Sequence, residues 1–549
     1  MRRLVLLLAL LSLLASCARE RQSVPSPAAA AIAPGAPVIL ISVDTLRADH
    51  LPAYGYRGVA TPAIDALRRD AILFENAYSQ VPLTLPSHSS ILSGLLPADD
   101  GVRDNLGYRF DASKHPTIPS LLHEEGYATG AAVSAYVLRG ETGLAPAFDF
   151  YDSNIEVRRD EALGRLQRPG TETIAIAKEW IGARESKPFF FFLHLFEPHT
   201  PYDPPEPFRT KYAANPYDGE IAAVDSELAD FLGWLRSEGI YDRAIIVFLS
   251  DHGEGLGDHG EEEHGIFLYR EAIHVPLMLK LPGRKRAGET VAAPVALIDV
   301  LPTLAQLTGF SPPADAKGVS LLASANAAPG SQRTIFSETM YPRLHLGWSE
   351  LRSLVSEHLH FIDAPSPELY DVVSDPHEKS NIASEQRRQL ATLKTAIAPF
   401  RRSLETPQQI DPEEAKKLAA LGYLGSSSTP EGPLPDPKER IGDLAVMDEA
   451  WTLAKSGHSD TAIRKFESFL QKNPGVMDAW IELAGLCERS GRLGEAASSY
   501  RRAIALSPAS SAGPALSLGW VYLQMGELDQ AATHASIGVA SDPHDAELL

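Results

Sequence analysis

The feature that most constrains this chain is an apolar run, Ala244-Ile245-Ile246-Val247-Phe248, that ends abruptly in Leu249-Ser250-Asp251-His252-Gly253-Glu254. An uninterrupted run of that length reads as a strand buried on both faces, and such strands belong to largely parallel sheets covered by helices. In open sheets of this kind ligands bind beyond the carboxyl ends of the strands. The Asp251 carboxylate and His252 imidazole therefore fall where a site is built. Val38-Ile39-Leu40-Ile41-Ser42-Val43 repeats the pattern and ends in Asp44-Thr45-Leu46-Arg47, and Phe189 to Leu193 runs into His194 and then Glu197-Pro198-His199-Thr200-Pro201-Tyr202. A lone strand-end Asp is commonly a cap or turn residue. Three strand ends carrying carboxylates and imidazoles to one sheet edge point to a site. Apolar runs alternate with helical patterns such as Thr171 to Arg184 and Asp218 to Ser237. That alternation predicts an α/β domain over 37–330 with a mostly parallel central sheet, followed by a smaller α+β piece over 331–424.

The amino terminus has the layout of a secretory signal. Met1-Arg2-Arg3 precedes an apolar stretch, Leu4 to Leu14, too short to span a bilayer. It ends in Leu14-Ala15-Ser16-Cys17, which resembles the lipobox of bacterial lipoproteins, in which the Cys is acylated and becomes the mature terminus. The resemblance implies a signal over 1–17 and a lipid anchor at Cys17 on the periplasmic side of a bacterial cell envelope. Ala18 stands where an Asp would signal inner-membrane retention, which points to the outer membrane. The Ala/Pro-rich stretch 18–36 then reads as a tether, and the one other cysteine, Cys487, leaves the mature chain without an intramolecular disulfide. With 71 acidic against 50 basic residues and a net charge of −21, the chain has no polyanion-binding balance, so nucleic acid is not expected as a partner.

Past a Gly/Ser/Pro-rich linker over 425–440 the chain repeats itself. Pro474 and Pro508, Gly457 and Gly491, and Ala462 and Ala496 are each 34 apart, and Gly526, Ala531 and Pro543 follow at 35. Trp451, Trp480 and Trp520 mark the first helix of each copy. This looks like about three tetratricopeptide repeats over 441–549, with the glycines letting paired helices approach. The default job of such an array is protein contact, and the linker predicts a module with few contacts to the rest of the chain.

Between the first strands lies Pro82-Leu83-Thr84-Leu85-Pro86-Ser87-His88. Pro86 and Ser87 suit a helix's first turn, so Thr84 is expected just ahead of a positive dipole end. There its hydroxyl can become a nucleophile if a cation lowers its pKa. Asp44-Thr45-Leu46-Arg47, Thr84 to His88, Ser250 to Glu254, Val275-Pro276-Leu277 and Leu369-Tyr370-Asp371 with Asp375-Pro376 together resemble the sulfatases of the alkaline phosphatase superfamily. The resemblance runs from about Pro37 to Leu424 and implies that superfamily's α/β sandwich, with the 331–424 piece as its C-terminal subdomain. It also implies a metal-dependent hydrolase of phosphate or sulfate esters.

Several residues depart from the sulfatase pattern. Sulfatases oxidise a Cys or Ser to formylglycine; Thr84 cannot give that aldehyde, so no formylglycine is expected. His88 stands in place of their Arg, Thr45 in place of their second Asp, and Ala132 to Val137 lacks their sulfate-binding Lys and His. A threonine nucleophile instead resembles the branch with phosphoethanolamine transferases, lipoteichoic acid synthases and nucleotide phosphodiesterases. Carried over by motif, Asp44, Thr84, Asp251 and His252 match metal ligands, and Thr84 the nucleophile. His199 and His264 match histidines that hold the phosphoryl oxygens or protonate the leaving group, and Asn105 matches an Asn on a non-bridging oxygen. Asp and His ligands favour Zn²⁺ or Mn²⁺, with Ca²⁺ or Mg²⁺ as alternatives. Two other readings stand: a phosphoethanolamine- or phosphoglycerol-type transferase acting on envelope glycans or lipids, and a degenerate repeat scaffold. His194 and His274 read as core histidines, Glu261-Glu262-Glu263 as a solvated loop face, His259 as a polar loop residue, and Tyr217, Glu220 and Asp225 as structural.

Overall fold

A computed structural model describes residues 31–155, 166–184, 187–325, 333–404, 433–506 and 512–541. The lipobox Cys17, the tether to residue 30, and most of the linker lie outside these.

Eight strands form the central sheet: β1 (Val38–Val43), β2 (Ile72–Phe74), β3 (Ala128–Ala132), β4 (Phe150–Asp152), β5 (Phe189–Leu195), β6 (Ile245–Leu249), β7 (Leu277–Lys280) and β8 (Thr290–Val291). Their spatial order is β8-β2-β7-β6-β1-β5-β3-β4, and every pairing is parallel except the two made by β7. Every residue of β1, β5 and β6 is buried. That is why these strands read as unbroken apolar runs rather than alternating ones.

The pleat sorts them onto two cores. Val38, Leu40, Phe190, Phe192, Ile245 and Val247 pack on one face, with Leu85, Ile91 and Leu92 of helix α1 (Thr84–Ser93). Ile39, Ile41, Phe189, Phe191, Ile246 and Phe248 face the other way, against α2 (Gly170–Gly182) and α3 (Pro216–Ser237). The result is a three-layer α/β/α sandwich. β1 lies between β5 and β6 with Ser42 opposite both His194 and Leu249. Two residues further on, Asp44 and Asp251 sit beside each other past the sheet edge. Side chains alternate with period two, so Ser42, Asp44, His194 and Asp251 fall on the α1 side of the sheet.

A second, antiparallel sheet follows: β9 (Ile335–Thr339), β10 (Leu351–Val355), β11 (Leu359–Asp363) and β12 (Glu368–Asp371). Then come three antiparallel helix pairs: α4 (Pro437–Lys455) with α5 (Ser459–Lys472), α6 (Met477–Arg489) with α7 (Leu493–Leu506), and α8 (Ala512–Met525) with α9 (Leu528–Ser541). Helix α4 starts at Pro437, capped by the Asp436 side chain, and so takes in the last residues expected to be linker. The repeat glycines do not serve close helix approach. Gly457, Gly491 and Gly526 have φ of +81°, +75° and +79° between the helices of each pair, where a side chain would strain the left-handed turn.

The expectation of a loosely attached module is also corrected. Trp348, 1% exposed, lies in one apolar cluster with Ala450, Ile463 and Phe466, and its Nε1–H donates to Asn473 Oδ1 at 2.9 Å. Ser366 N–H donates to Asp436 Oδ2 at 2.9 Å, and Lys438 pairs with Glu368 at 2.5 Å. Gly347 and Gly475 bring two backbones together so closely that a Cβ on either would meet the other's Cα at 3.2 Å. Linker composition carries no information about apolar faces met elsewhere in the chain, which is why the sequence hid this contact.

Candidate active site

Helix α1 is buried over all ten residues. Its first residue is Thr84 itself, one turn position earlier than Pro86 and Ser87 imply, with Leu83 extended as the cap. Three bonds fix its start: Leu85 N–H donates to Asn105 Oδ1 at 2.8 Å, Ser87 Oγ–H to the Asp251 carbonyl at 2.8 Å, and His88 Nδ1–H to the Thr84 carbonyl at 2.8 Å.

Thr84 Oγ1 lies 3.3 Å from His252 Nε2. That nitrogen is 3.4 Å from Asp251 Oδ2 and 3.6 Å from Asp44 Oδ1. His252 Nδ1–H donates to the Gly253 carbonyl at 3.0 Å, which leaves the Nε2 lone pair aimed at the carboxylates. Asp44, Asp251 and His252 are each 0% exposed, and among the described residues neither carboxylate has a hydrogen-bond partner on any oxygen. Burial drives the Asp44 pKa up; burial and the Asp44 charge drive Asp251 well up; burial drives His252 well down. Four orphaned carboxylate oxygens at a buried point, with an imidazole lone pair beside them, are a donor set for a divalent cation. Asp44, Asp251 and His252 place ligand atoms within 4.8 Å of one another.

Gly253 and Gly255 let the following loop fold back, since a Cβ on either would strike the carbonyl of Glu271 or Glu261. The turn after Asp44 is held in the same way by a strained residue. Thr45 has φ +54°, and Tyr217 clamps the turn by donating to the Thr45 carbonyl at 2.7 Å and accepting from Arg47 N–H at 2.9 Å.

His264 Nδ1–H donates to Glu254 Oε1 at 3.0 Å. Burial opposes its charge, yet the buried Glu254 carboxylate raises its pKa to about 9. Its ring lies 4.4 Å from that of His252 and 5.1 Å from that of His199. His199 donates Nδ1–H to the Thr200 carbonyl at 2.7 Å, and burial lowers its pKa. One is therefore held charged and its neighbour neutral. Both open, with Asp44, Thr84 and Asn105, onto a cavity of about 460 Å³.

The structure thus brings Asp44, Thr84, Asn105, His199, Asp251, His252 and His264 around one point. It also adds residues that sequence reasoning set aside. His194 is no satisfied core histidine: among the described residues neither ring nitrogen has a hydrogen-bond partner, and Nε2 lies 3.4 Å from Asp44 Oδ2. With His88 and Asp251 it forms a second group whose ligand atoms lie within 4.8 Å of one another. Its period-two position under Asp44 was the available signal. Glu261 is no solvated face either; it is 3% exposed and accepts from Ile266 and Phe267 N–H at 2.7 and 3.1 Å. His259 binds Glu271 at 2.5 Å and lies off the cavity lining; His274 Nε2–H donates to the Glu75 carbonyl at 2.8 Å. Glu220 and Asp225 hold backbone N–H groups of Asp203 and of Ala63 and Ile64.

Residues 37–310 match the sulfatase family model, and 257–401 match the C-terminal model of N-sulphoglucosamine sulphohydrolase. The chain belongs to the sulfatase family. Residues 447–511 match a tetratricopeptide repeat model. Among relatives, the sulfatase-family chain is 26% identical over 413 residues to the Δ4,5-hexuronate-2-O-sulfatase of Bacteroides thetaiotaomicron, covering 64% of this chain and 85% of that one. It is 25% identical over 436 residues to the ulvan-active sulfatase of Formosa agariphila, covering 70% and 81%. The phosphonate monoester hydrolase of Agrobacterium radiobacter has the same fold, with a TM-score of 0.57 at 22% identity over 66% of this chain and 95% of that one. Family membership makes the chain a metal-dependent ester hydrolase of the alkaline-phosphatase-like superfamily, with an added repeat module.

Proposed function

We propose that this protein hydrolyses a sulfate or phosphate ester with Thr84 as nucleophile, without formylglycine. The observation that carries this reading is Thr84 Oγ1 at the head of a buried helix, 3.3 Å from His252 and facing the cavity beside two unpartnered carboxylates. Asp44, Asp251, His252 and Thr84 would hold the cation, with Zn²⁺ or Mn²⁺ favoured by the mixed oxygen and nitrogen donors. Such an ion lowers the pKa of the hydroxyl and offsets the carboxylate charge. Thr84 Oγ1 forms a bond to the sulfur or phosphorus as the bond to the leaving oxygen breaks, the hydroxyl proton passing to solvent. His264, charged at neutral pH, protonates the leaving oxygen, and neutral His199 and the Asn105 amide orient the ester oxygens. Water then hydrolyses the threonine ester with His264 as base. Asn105 Oδ1 is already committed to Leu85 N–H, and its amide nitrogen, with no hydrogen-bond partner among the described residues, is left for such a contact.

The names of the relatives support a sulfated glycan as substrate, and the phosphonate monoester hydrolase fold supports phosphate chemistry. A signal over 1–17 and an anchor at Cys17 would place the enzyme on the periplasmic face of the envelope, and the outer repeats would serve a protein partner. The test is a panel of phosphate mono-, di- and sulfate esters assayed with Zn²⁺ or Mn²⁺. Thr84→Ala is expected to abolish turnover with melting temperature nearly unchanged, and Thr84→Ser to keep part of the rate. Wild-type turnover by Thr84→Ala would overturn the assignment.

A further inference from the structure

Helix α4 does more than pack against the catalytic domain. Asp448, Trp451, Thr452 and Lys455 line the same cavity as Thr84, His199 and His264. Their spacing is i, i+3, i+4, i+7, which is one face of a helix, while Ala450 on the other side is fully buried in the cluster shared with Trp348. Part of the cavity wall is therefore built by the first repeat, held in register by Trp348 with Asn473 and by Lys438 with Glu368.

The chemistry of this face is specific. Among the described residues, Lys455 is the sole lysine or arginine lining the cavity, and its ammonium group has no ion pair or hydrogen-bond partner there. Asp448, seven residues earlier, is roughly 10 Å away along the axis, too far to neutralise it. Between them stands Trp451, half-buried and steadied edge-on by Phe466 with ring centroids 5.4 Å apart. An indole face with an unpaired cation beyond it suits a ring bearing an anionic group.

We propose that the first tetratricopeptide helix is the substrate-recognition wall of this enzyme, Trp451 stacking on the ring that carries the ester and Lys455 pairing with a second anionic group on that ring. The assignment rests on the ester-hydrolase reading above. It gives the repeat module a part in specificity, separate from any protein partner taken by its outer helices.

Two ring-matched probes test it in the full-length protein: phenyl phosphate or sulfate, and the corresponding 4-carboxyphenyl ester. The wild type is expected to show a lower KM for the carboxyphenyl ester. Lys455→Gln is expected to shrink the ratio of the two KM values about fivefold while kcat for the carboxyphenyl ester holds, and Lys455→Arg to retain most of the ratio. Trp451→Leu is expected to raise KM for both esters together. A ratio unmoved by Lys455→Gln overturns the proposal. If the wild type turns over neither ester, the hydrolase reading fails, and calorimetric binding of 4-carboxyphenyl phosphate to wild type and Lys455→Gln decides the wall by itself. Equal affinities overturn it, and a fivefold loss supports it.

Discussion

Removing one of the two orphaned carboxylates should stabilise the protein when it is free of metal and destroy its response to metal. Carboxylate oxygens of Asp44 and Asp251 lie within 4.8 Å of one another, and among the described residues neither carboxylate has a hydrogen bond. At an effective dielectric constant of about 20, two unit charges at that distance repel by about 3.5 kcal/mol. Folding raises both pKa values, by burial and, for Asp251, by the neighbouring charge. A carboxyl whose pKa is raised on folding costs stability as pH climbs from the ordinary carboxylate range through the raised value. The metal-free wild type should therefore weaken with rising pH, and Asp251→Asn should escape much of that loss. With an unfolding entropy of about 2.1 cal/mol/K per residue, 3.5 kcal/mol corresponds to roughly 3–5 °C, depending on how much of the chain unfolds together. The assay is calorimetric melting of chelated wild type and Asp251→Asn between pH 5 and 9, then with one equivalent of Zn²⁺ or Mn²⁺. The metal should raise the wild-type melting temperature and leave the variant unmoved. Metal-free Asp251→Asn melting below the wild type throughout that range would rule out a repelling carboxylate pair, as would a wild type indifferent to chelation.

Three further outcomes are expected. Glu254→Gln removes the charge that raises His264 to about 9, so the alkaline limb of kcat/KM, where the acid loses its proton, should move down by about one pH unit or more; an unmoved limb would clear His264 of the acid role. Trp348→Ala empties a buried site and orphans Asn473 Oδ1, at a cost of about 3–5 kcal/mol. It should lower the melting temperature and speed proteolytic separation of the repeats, and unchanged proteolysis would argue against the interface. Cys17→Ser should shift the protein from membrane to soluble periplasmic fractions, because a triacylated cysteine holds firmly where an unmodified one does not; an unchanged membrane fraction would count against the anchor.

The amino-acid pattern alone specified the sandwich, because burial on both faces leaves an apolar run with no period, and β1, β5 and β6 carry that mark. It also determined which residues end those strands, and it gave the repeats, since a helix pair that must stack on its own copies repeats its glycines and alanines at fixed spacing. The rest depended on contacts between segments far apart in the chain. His194 looked like core packing because periodicity tells which face a side chain takes, not what waits there; the neighbouring strand put Asp44 beside it. Glu261 looked solvated because a run of acids is usually a surface, until the loop folded back across Gly253 and Gly255. The largest difference is helix α4. A linker's composition predicts freedom, but freedom is lost when an apolar surface such as that around Trp348 finds a partner, and that pairing is long-range in sequence. It brought one face of the first repeat's leading helix into the lining of the cavity that holds Thr84.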